Sequence, residues 1–294
     1  MPTATTPAAQ AGTITLGGDL TVNRLGYGAM RITGKGIWGP PDDRGAALAA
    51  LRRAVELGVN FIDTADSYGP DISEELIAEA LAPYPAGLVI TTKVGWTRHG
   101  PGIWQHNASP THIQQAIEGS LKRLRLNRID VYQLHVPDPA TSFDASMEAL
   151  ALLREQGKVR HVALSNVTLE HIRRAQKIVP IVSVQNRYSF SDREWDYVLD
   201  YCGANRLAFL PWGPMAQGRK ANEAVEKIAA ARDTSTAVVS LAWLLRRSPI
   251  MLPIPGTGSV KHLEENVSAA GFRLTDAEFA ELNAVVPKPI SLRA

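Results

Sequence analysis

Eight times along this chain, a short apolar, β-branched run adjoins a longer segment whose apolar residues recur at helical spacing. The strand-like runs fall at 24–28, 59–63, 88–94, 129–135, 159–165, 181–185, 207–212 and 251–255. Helical patterns follow at 44–58, 72–84, 109–126, 142–156, 168–178, near 192–203, at 221–232 and 235–247, and after Ser259. Gly58 is a typical helix stop, and Ser109-Pro110 is a strong helix start. Asp71 or Ser73 is expected to cap the second helix. Parallel strands need right-handed helical crossovers, so eight βα units predict an α/β fold, a (β/α)8 TIM barrel. The competing architecture is a doubly wound open sheet. It needs a G-x-G-x-x-G loop after the first strand, and "GYGAMR" (26–31) does not supply one.

With 294 residues the chain suits one barrel domain over 13–294, opened by a β-hairpin in "TITLGGDLTV" (13–22). Residues 1–12 are small, polar and proline-containing, and are expected to form a disordered lead without the apolar centre of a signal peptide. The composition, 45% hydrophobic and 20% charged, is that of a globular domain. A net charge of +2, with the signs interspersed, gives no footprint for nucleic acid. No run of 18 apolar residues offers a membrane span. One cysteine, Cys202, excludes an intrachain disulfide and fits a reducing compartment, so the expected location is the cytoplasm.

In a barrel of this kind the chemistry lies at the carboxyl ends of the strands. Asp63 ends the second strand, Tyr68 follows in its loop, Lys93 nears the end of the third, and His135 ends the fourth. Each alone has an ordinary reading as a turn, packing or hydrogen-bonding residue. Lys93 is the hardest to dismiss. It sits within "VITTKVG" with no solvated face, and a buried ammonium needs a carboxylate, for which Asp63 on the adjacent strand is the natural partner. A positive charge beside Tyr68 is expected to favour phenolate and so lower its pKa from about 10, as a general acid near neutral pH requires. Asp66, between Asp63 and Tyr68, reads as a loop hydrogen-bonder.

These segments, "GYGAMR", "NFIDTADSYG", "VITTKVG", "DVYQLH", "HVALSNVT", "VQNRYS" and "PIPGTGSVKHLEENV", occur in the order found in the aldo-keto reductase superfamily, which the chain resembles over nearly its whole length. The resemblance implies a catalytic tetrad of Asp63, Tyr68, Lys93 and His135. In it Tyr68 protonates a carbonyl oxygen, Lys93 paired with Asp63 depresses the tyrosine pKa, and a neutral His135 orients the carbonyl. It also implies a nicotinamide cofactor. Ser165, Asn166 and Gln185 would hold the carboxamide, and Trp212 would stack on the ring. Ala29 and Met30 after the first strand, and Ile254 in the last, would flank it. The loop Gly213, Pro214, Met215, Gln217, Gly218 and Arg219 would hold the pyrophosphate.

The adenosine end would rest on Gly256, Thr257, Gly258, Ser259, His262, Glu265 and Asn266, in a glycine- and hydroxyl-rich turn that opens a helix. Many family members carry Lys and Arg where this chain has Gly256 and His262. NADPH (NADP+) remains the expected cofactor, held through Thr257, Ser259, Lys261 and His262, with NADH as the alternative. Trp38, Trp96 and Trp104, on the loops after the first and third strands, would wall a pocket for a flat or apolar small-molecule carbonyl substrate. The "GIWGPPDD" loop, with "NRLGYGAM", "LAWLLRRSP" and "IPGTGSV", resembles a bacterial pyridoxal-reductase-like branch (pyridoxine 4-dehydrogenase-like), which makes pyridoxal a substrate to test. A second reading is a redox-sensing regulatory subunit with little turnover, against which the complete tetrad argues. A metal-dependent hydrolase barrel is a third, and it lacks the clustered histidines such sites use.

Overall fold

The computed structural model describes residues 6–215 and 219–285. A 3₁₀ turn, Pro7–Ala11, leads into an antiparallel hairpin of β1 (Thr13–Leu16) and β2 (Leu20–Asn23). The barrel begins with β3 (Tyr27–Gly28), α1 (Arg44–Glu56), β4 (Phe61–Asp63), α2 (Ile72–Leu81) and β5 (Val89–Val94). A second hairpin, β6 (Trp96–Gly100) and β7 (Ile103–His106), interrupts the alternation before α3 (Pro110–Leu124). Next come β8 (Ile129–Leu134), α4 (Phe143–Glu155), β9 (Val159–Ser165), α5 (Leu169–Gln176), β10 (Ile181–Arg187) and α6 (Asp196–Ala204). The chain continues through β11 (Ala208–Trp212), α7 (Arg219–Ala231), α8 (Thr236–Arg247), α9 (Val260–Ser268) and α10 (Asp276–Asn283).

Strands β3, β4, β5, β8, β9, β10 and β11 form one parallel sheet in that spatial order. The expected eighth strand is present only as residues 251–255, and its two prolines explain why. Pro253 and Pro255 have no N–H to donate, which keeps the segment from forming a full ladder. It still bridges both edges. Phe209 N donates to Ile250 O and Leu252 N to Phe209 O on one side, while Gly26 N and Gly28 N donate to Pro253 O and Pro255 O on the other. The barrel is therefore closed.

Two expectations need correction. Residues Pro7–Ala11 are ordered as a turn instead of belonging to a disordered lead, because Ala8 is buried in the apolar core and donates from its N–H to Leu57 O. Neither Asp71 nor Ser73 caps α2: Asp71 pairs with Arg123 at 3.1 Å, and Ser73 Oγ lies 2.7 Å from Thr64 Oγ1 and donates to Ala29 O. The helix 72–84 also stops at Leu81, two residues before Pro83. Elsewhere the capping is as read: Ser109 Oγ accepts from His112 N at the start of α3.

The alternation of side chains along each strand positions the site. Inside the barrel, Phe61, Val89, Val131, Ala163, Ala208, Leu210, Leu252 and Ile254 form one apolar cluster. Two residues further along, on the same inward face, stand Asp63 after Phe61 and Gln133 after Val131. Thr91 and then Lys93 follow Val89, and Ser165 follows Ala163. The barrel is thus apolar at its amino end and polar at its carboxyl end. Leu16, Leu20 and Val22 of the first hairpin join the apolar cluster and plug that end. Leu16 is fully buried there. Replacing Leu16 with Ala should lower the unfolding free energy by about 2–5 kcal/mol, measured as a lower midpoint in urea denaturation.

Candidate active site

Lys93 sets the geometry of the barrel mouth. Its side chain is fully buried, yet each of its three N–H bonds has an acceptor: Asp63 Oδ2 at 2.6 Å, Thr64 O at 3.0 Å and Tyr68 Oη at 3.3 Å. Asp63 is satisfied in turn. Its Oδ1 accepts from Gln133 Nε2 at 3.0 Å and from Gln185 Nε2 at 2.9 Å. An ammonium can only donate, so the phenol oxygen of Tyr68 accepts from Lys93 and keeps its own proton available for another acceptor. The His135 ring meets Tyr68 edge to face, 5.8 Å between centroids. The four side chains read as one tetrad in the sequence do come together.

The electrostatics differ from expectation at one of them. Burial pushes the Tyr68 phenol above its ordinary range; the charge of Lys93 acts the other way, and Asp63 cancels part of that pull. The expectation that Lys93 leaves Tyr68 with a depressed pKa is therefore corrected for the free protein, because desolvation outweighs the ion pair's field. Burial also works to lower Lys93, but Asp63 and Tyr68 overcome it and hold the ammonium above the usual lysine range. His135 is driven well below the ordinary histidine range by burial and then by Lys93, so its imidazole is neutral. Its Nδ1 has no hydrogen-bond partner among the described residues.

Around this centre lies a second group. Asn166, at the end of β9 with a left-handed φ of 56°, donates from Nδ2 to His135 O and to Ser165 Oγ. Its Oδ1 accepts from Trp212 Nε1 at 3.1 Å, which holds an exposed indole at the end of β11. Gln185 stands in the same layer but spends its Nε2 on Asp63, so it is part of the lysine's support. The expected positions Gln217 and Gly218 lie outside the described residues, and of Arg219 only its place at the start of α7 is described.

Further out, Gly256, Thr257, His262, Glu265 and Asn266 line a cavity of about 490 Å³ that also takes in Met215. Exposed Lys261 does not line it, and Glu226, Thr236 and Ser240 of α7 and α8 do. Ser259 caps α9 through His262 N, while Thr257 Oγ1 accepts from Ser259 N. The amides of Val260 and Lys261 in the first turn have no intrahelical acceptor and suit an anion. A Cβ on Gly256 would stand 2.6 Å from Gly28 O, so only glycine lets this turn lie against the segment that carries Ala29 and Met30. Met30 itself lines a separate cavity, of about 560 Å³, beside Trp104. A Cβ on Gly258 would meet that segment at Arg31 O, 3.4 Å away.

Of the three tryptophans, Trp96 stands beside the centre, edge-on to His135 at 6.5 Å and stacked on His106 at 4.2 Å. Trp104 packs edge-on to Trp96. Trp38 is pinned to the Tyr68 loop by a bridge to Gly69. Two contributors escaped the sequence reading. Gln133 was legible in principle, two residues before His135 on a strand of period two. Arg98 was not, since its role arises only from loops that meet in space.

Comparison with known proteins accords with this arrangement. Residues 24–287 match the model of the aldo/keto reductase family. The chain is 46% identical over 278 residues to an uncharacterized oxidoreductase of Schizosaccharomyces pombe, covering 94% of this chain and 90% of the relative. It is 41% identical over 280 residues to pyridoxine 4-dehydrogenase of Escherichia coli, covering 93% and 98%. A crystal structure of an aldo-keto reductase from Klebsiella pneumoniae, in complex with NADPH, superposes with a TM-score of 0.79 at 25% identity, covering 95% and 96%. The chain belongs to the aldo/keto reductase family. It is accordingly an NAD(P)H-dependent oxidoreductase on a (β/α)8 barrel. Among the described residues no helix is long and apolar enough to cross a membrane.

In this aldo/keto reductase the Lys93–Asp63 pair also bears on stability. Lys93→Met leaves Asp63 buried with only the two glutamine amides, and should cost about 3–5 kcal/mol. Adding Asp63→Asn to that variant should recover a large part of the loss, because the second charge goes with the first. Guanidinium denaturation of both variants measures this. A double variant no more stable than Lys93→Met would exclude the uncompensated charge as the cause.

Proposed function

We propose that this chain reduces an aldehyde or ketone to the alcohol with NADPH, and that Tyr68 is the acid. The observation that carries the reading is the phenol of Tyr68 accepting from Lys93, which leaves its own proton directed away from the ion pair. When bound, a reduced nicotinamide supplies a hydride to the carbonyl carbon. Tyr68 then gives its proton to the carbonyl oxygen as negative charge develops there. Neutral His135, held beside it, donates a hydrogen bond that orients that oxygen. Lys93 stays charged throughout and stabilises the phenolate left on Tyr68.

The residues suit a dinucleotide. Ser165 and Asn166 stand at the strand end nearest His135, the exposed Trp212 indole offers a flat face, and the cavity at α9 offers free amides with Thr257, His262, Glu265 and Asn266. The relatives support the choice of cofactor and substrate: the Klebsiella pneumoniae enzyme was solved with NADPH, and the Escherichia coli enzyme is named for pyridoxine. The aromatic wall of Trp96 and Trp104 suits a flat aldehyde, so pyridoxal is the first substrate to try.

Tyr68→Phe should lower kcat for carbonyl reduction by about 10²–10⁴-fold while NADPH binding, followed by quenching of tryptophan fluorescence, stays intact. Near-normal turnover across several aldehydes would remove Tyr68 as the acid. The pH profile gives a separate check. Tyr68 and Lys93 lie above their ordinary ranges and His135 below its own, so none of them changes charge between about pH 7 and about pH 9. Reductive kcat/KM should be flat across that window. It should fall only above it, as the phenol loses its proton. A midpoint near pH 7 or 8 would overturn the raised pKa of Tyr68, because kcat/KM reports the enzyme before the carbonyl binds.

A further inference from the structure

Arg98 lies on the β6–β7 hairpin, outside the tetrad, and is 8% exposed. Its guanidinium has five N–H donors, and all five meet backbone carbonyls. Nε donates to Ile103 O at 3.1 Å, Nη1 to Ile37 O at 2.9 Å and Ser67 O at 3.1 Å, and Nη2 to Gly36 O at 3.0 Å and, more weakly, Gly100 O at 3.5 Å. Those carbonyls belong to three different loops: the hairpin itself, the loop after β3 that carries Trp38, and the turn whose next residue is Tyr68. Among the described residues no carboxylate pairs with it, and burial lowers its pKa. Its Cζ lies 3.7 Å from the Trp104 ring centroid and 5.7 Å from that of Trp38.

The contacts form a circuit. His135 meets Trp96, Trp96 meets Trp104, Trp104 meets Arg98, and Arg98 holds the carbonyl of Ser67, adjacent to Tyr68. The two groups that handle the carbonyl oxygen are thereby joined through the hairpin as well as by their own ring contact. We infer that Arg98 is the positioning residue that fixes the aromatic wall relative to Tyr68, and so sets the preference for flat aromatic carbonyls over small aliphatic ones. A small aldehyde needs only Tyr68 and His135. An aromatic one must also fit between those groups and Trp96, so it depends on where the hairpin stands.

This inference rests on the reductase reading, and the test separates the two. Wild type, Arg98→Ala and Arg98→Lys are assayed with NADPH on benzaldehyde and on propanal. In Arg98→Ala the ratio of kcat/KM for benzaldehyde to that for propanal should fall about tenfold or more, through KM for benzaldehyde, as expected when a wall is misplaced by an ångström or so. NADPH affinity should stay within about twofold, since no residue whose carbonyl Arg98 holds lines the cavity at α9. Lys offers three donors in place of five and should give an intermediate ratio. Added ethylguanidinium should restore much of the ratio in Arg98→Ala. A ratio unchanged in Arg98→Ala, or equal losses on both substrates, would overturn the inference. If Arg98→Ala does not fold, an unchanged ratio in Arg98→Lys does the same. If the wild type reduces no carbonyl, the reductase reading fails. Hydrogen exchange of the 96–106 amides then decides the clamp: faster exchange in the variants supports it, and identical exchange overturns it.

Discussion

A fully buried ammonium is the constraint on which the rest of this molecule depends. Moving an isolated charge of this kind out of water costs several kcal/mol even after relaxation, so every N–H of Lys93 must find an acceptor at a fixed place. The acceptors come from the end of β4, from the carbonyl just beyond it, and from Tyr68 in the following loop. Asp63 in turn draws on Gln133 of β8 and Gln185 of β10. Four strands must therefore hold one register. A slip of a single residue would turn Lys93 into the apolar shell that packs around Ile90 and Val94. The register of those strands and the assembly of the site are the same requirement seen from two sides.

The same pair bears on acidity in a way that simple proximity does not capture. A lysine beside a tyrosine lowers the phenol pKa only to the extent that its field is not cancelled, and here a carboxylate lies 2.6 Å from the ammonium. What reaches Tyr68 is the remainder, and burial exceeds it. The pair's contribution in the resting protein is thus directional. Lys93 occupies the lone pair of the phenol and turns its proton outward. The stabilisation it offers grows only as Tyr68 becomes negative, which is the point at which an acid catalyst uses it.

Much of this was legible in the sequence, and the physical reason is period. Strand alternation and helical spacing mark eight βα units, and the last residues of the strands identify Asp63, Lys93 and His135. What period does not encode was missed. The β6–β7 hairpin lies in a stretch rich in glycine, histidine and tryptophan that has no strand alternation, so it read as a loop. The eighth strand was placed correctly, but its prolines reduce it to bridges. Capping of α2 failed because Ser73 and Asp71 had better partners in other elements. Lys261 was grouped with His262 by sequence adjacency, yet neighbouring residues on a helix point about 100° apart, and only His262 faces the cavity. The direction of the Tyr68 shift was missed for a further reason: desolvation depends on the depth of a loop that the sequence does not fix.

Asp66 shows why the surroundings of that loop matter. It is buried, and its Oδ1 has no partner among the described residues; a backbone hydrogen bond from Ser67 reaches its carboxyl, as expected of a loop hydrogen-bonder, while burial and then Glu74 push its pKa well above the carboxylate range. Glu74, also fully buried, accepts from Thr92 Oγ1 at 2.6 Å and pairs with Arg123 at 2.7 Å; Arg123 also reaches Asp71. One guanidinium thus serves the buried Glu74 and the half-exposed Asp71, and its pull on Asp66 is outweighed by burial and Glu74. The field of Asp66 adds to that of Asp63 in raising the phenol of Tyr68. Its field on Tyr68 is smaller than those of Lys93 and Asp63, which leaves that pair governing the proton on the phenol. The outer ion pairs tie the start of α2 to α3, on the side of the loop away from that proton.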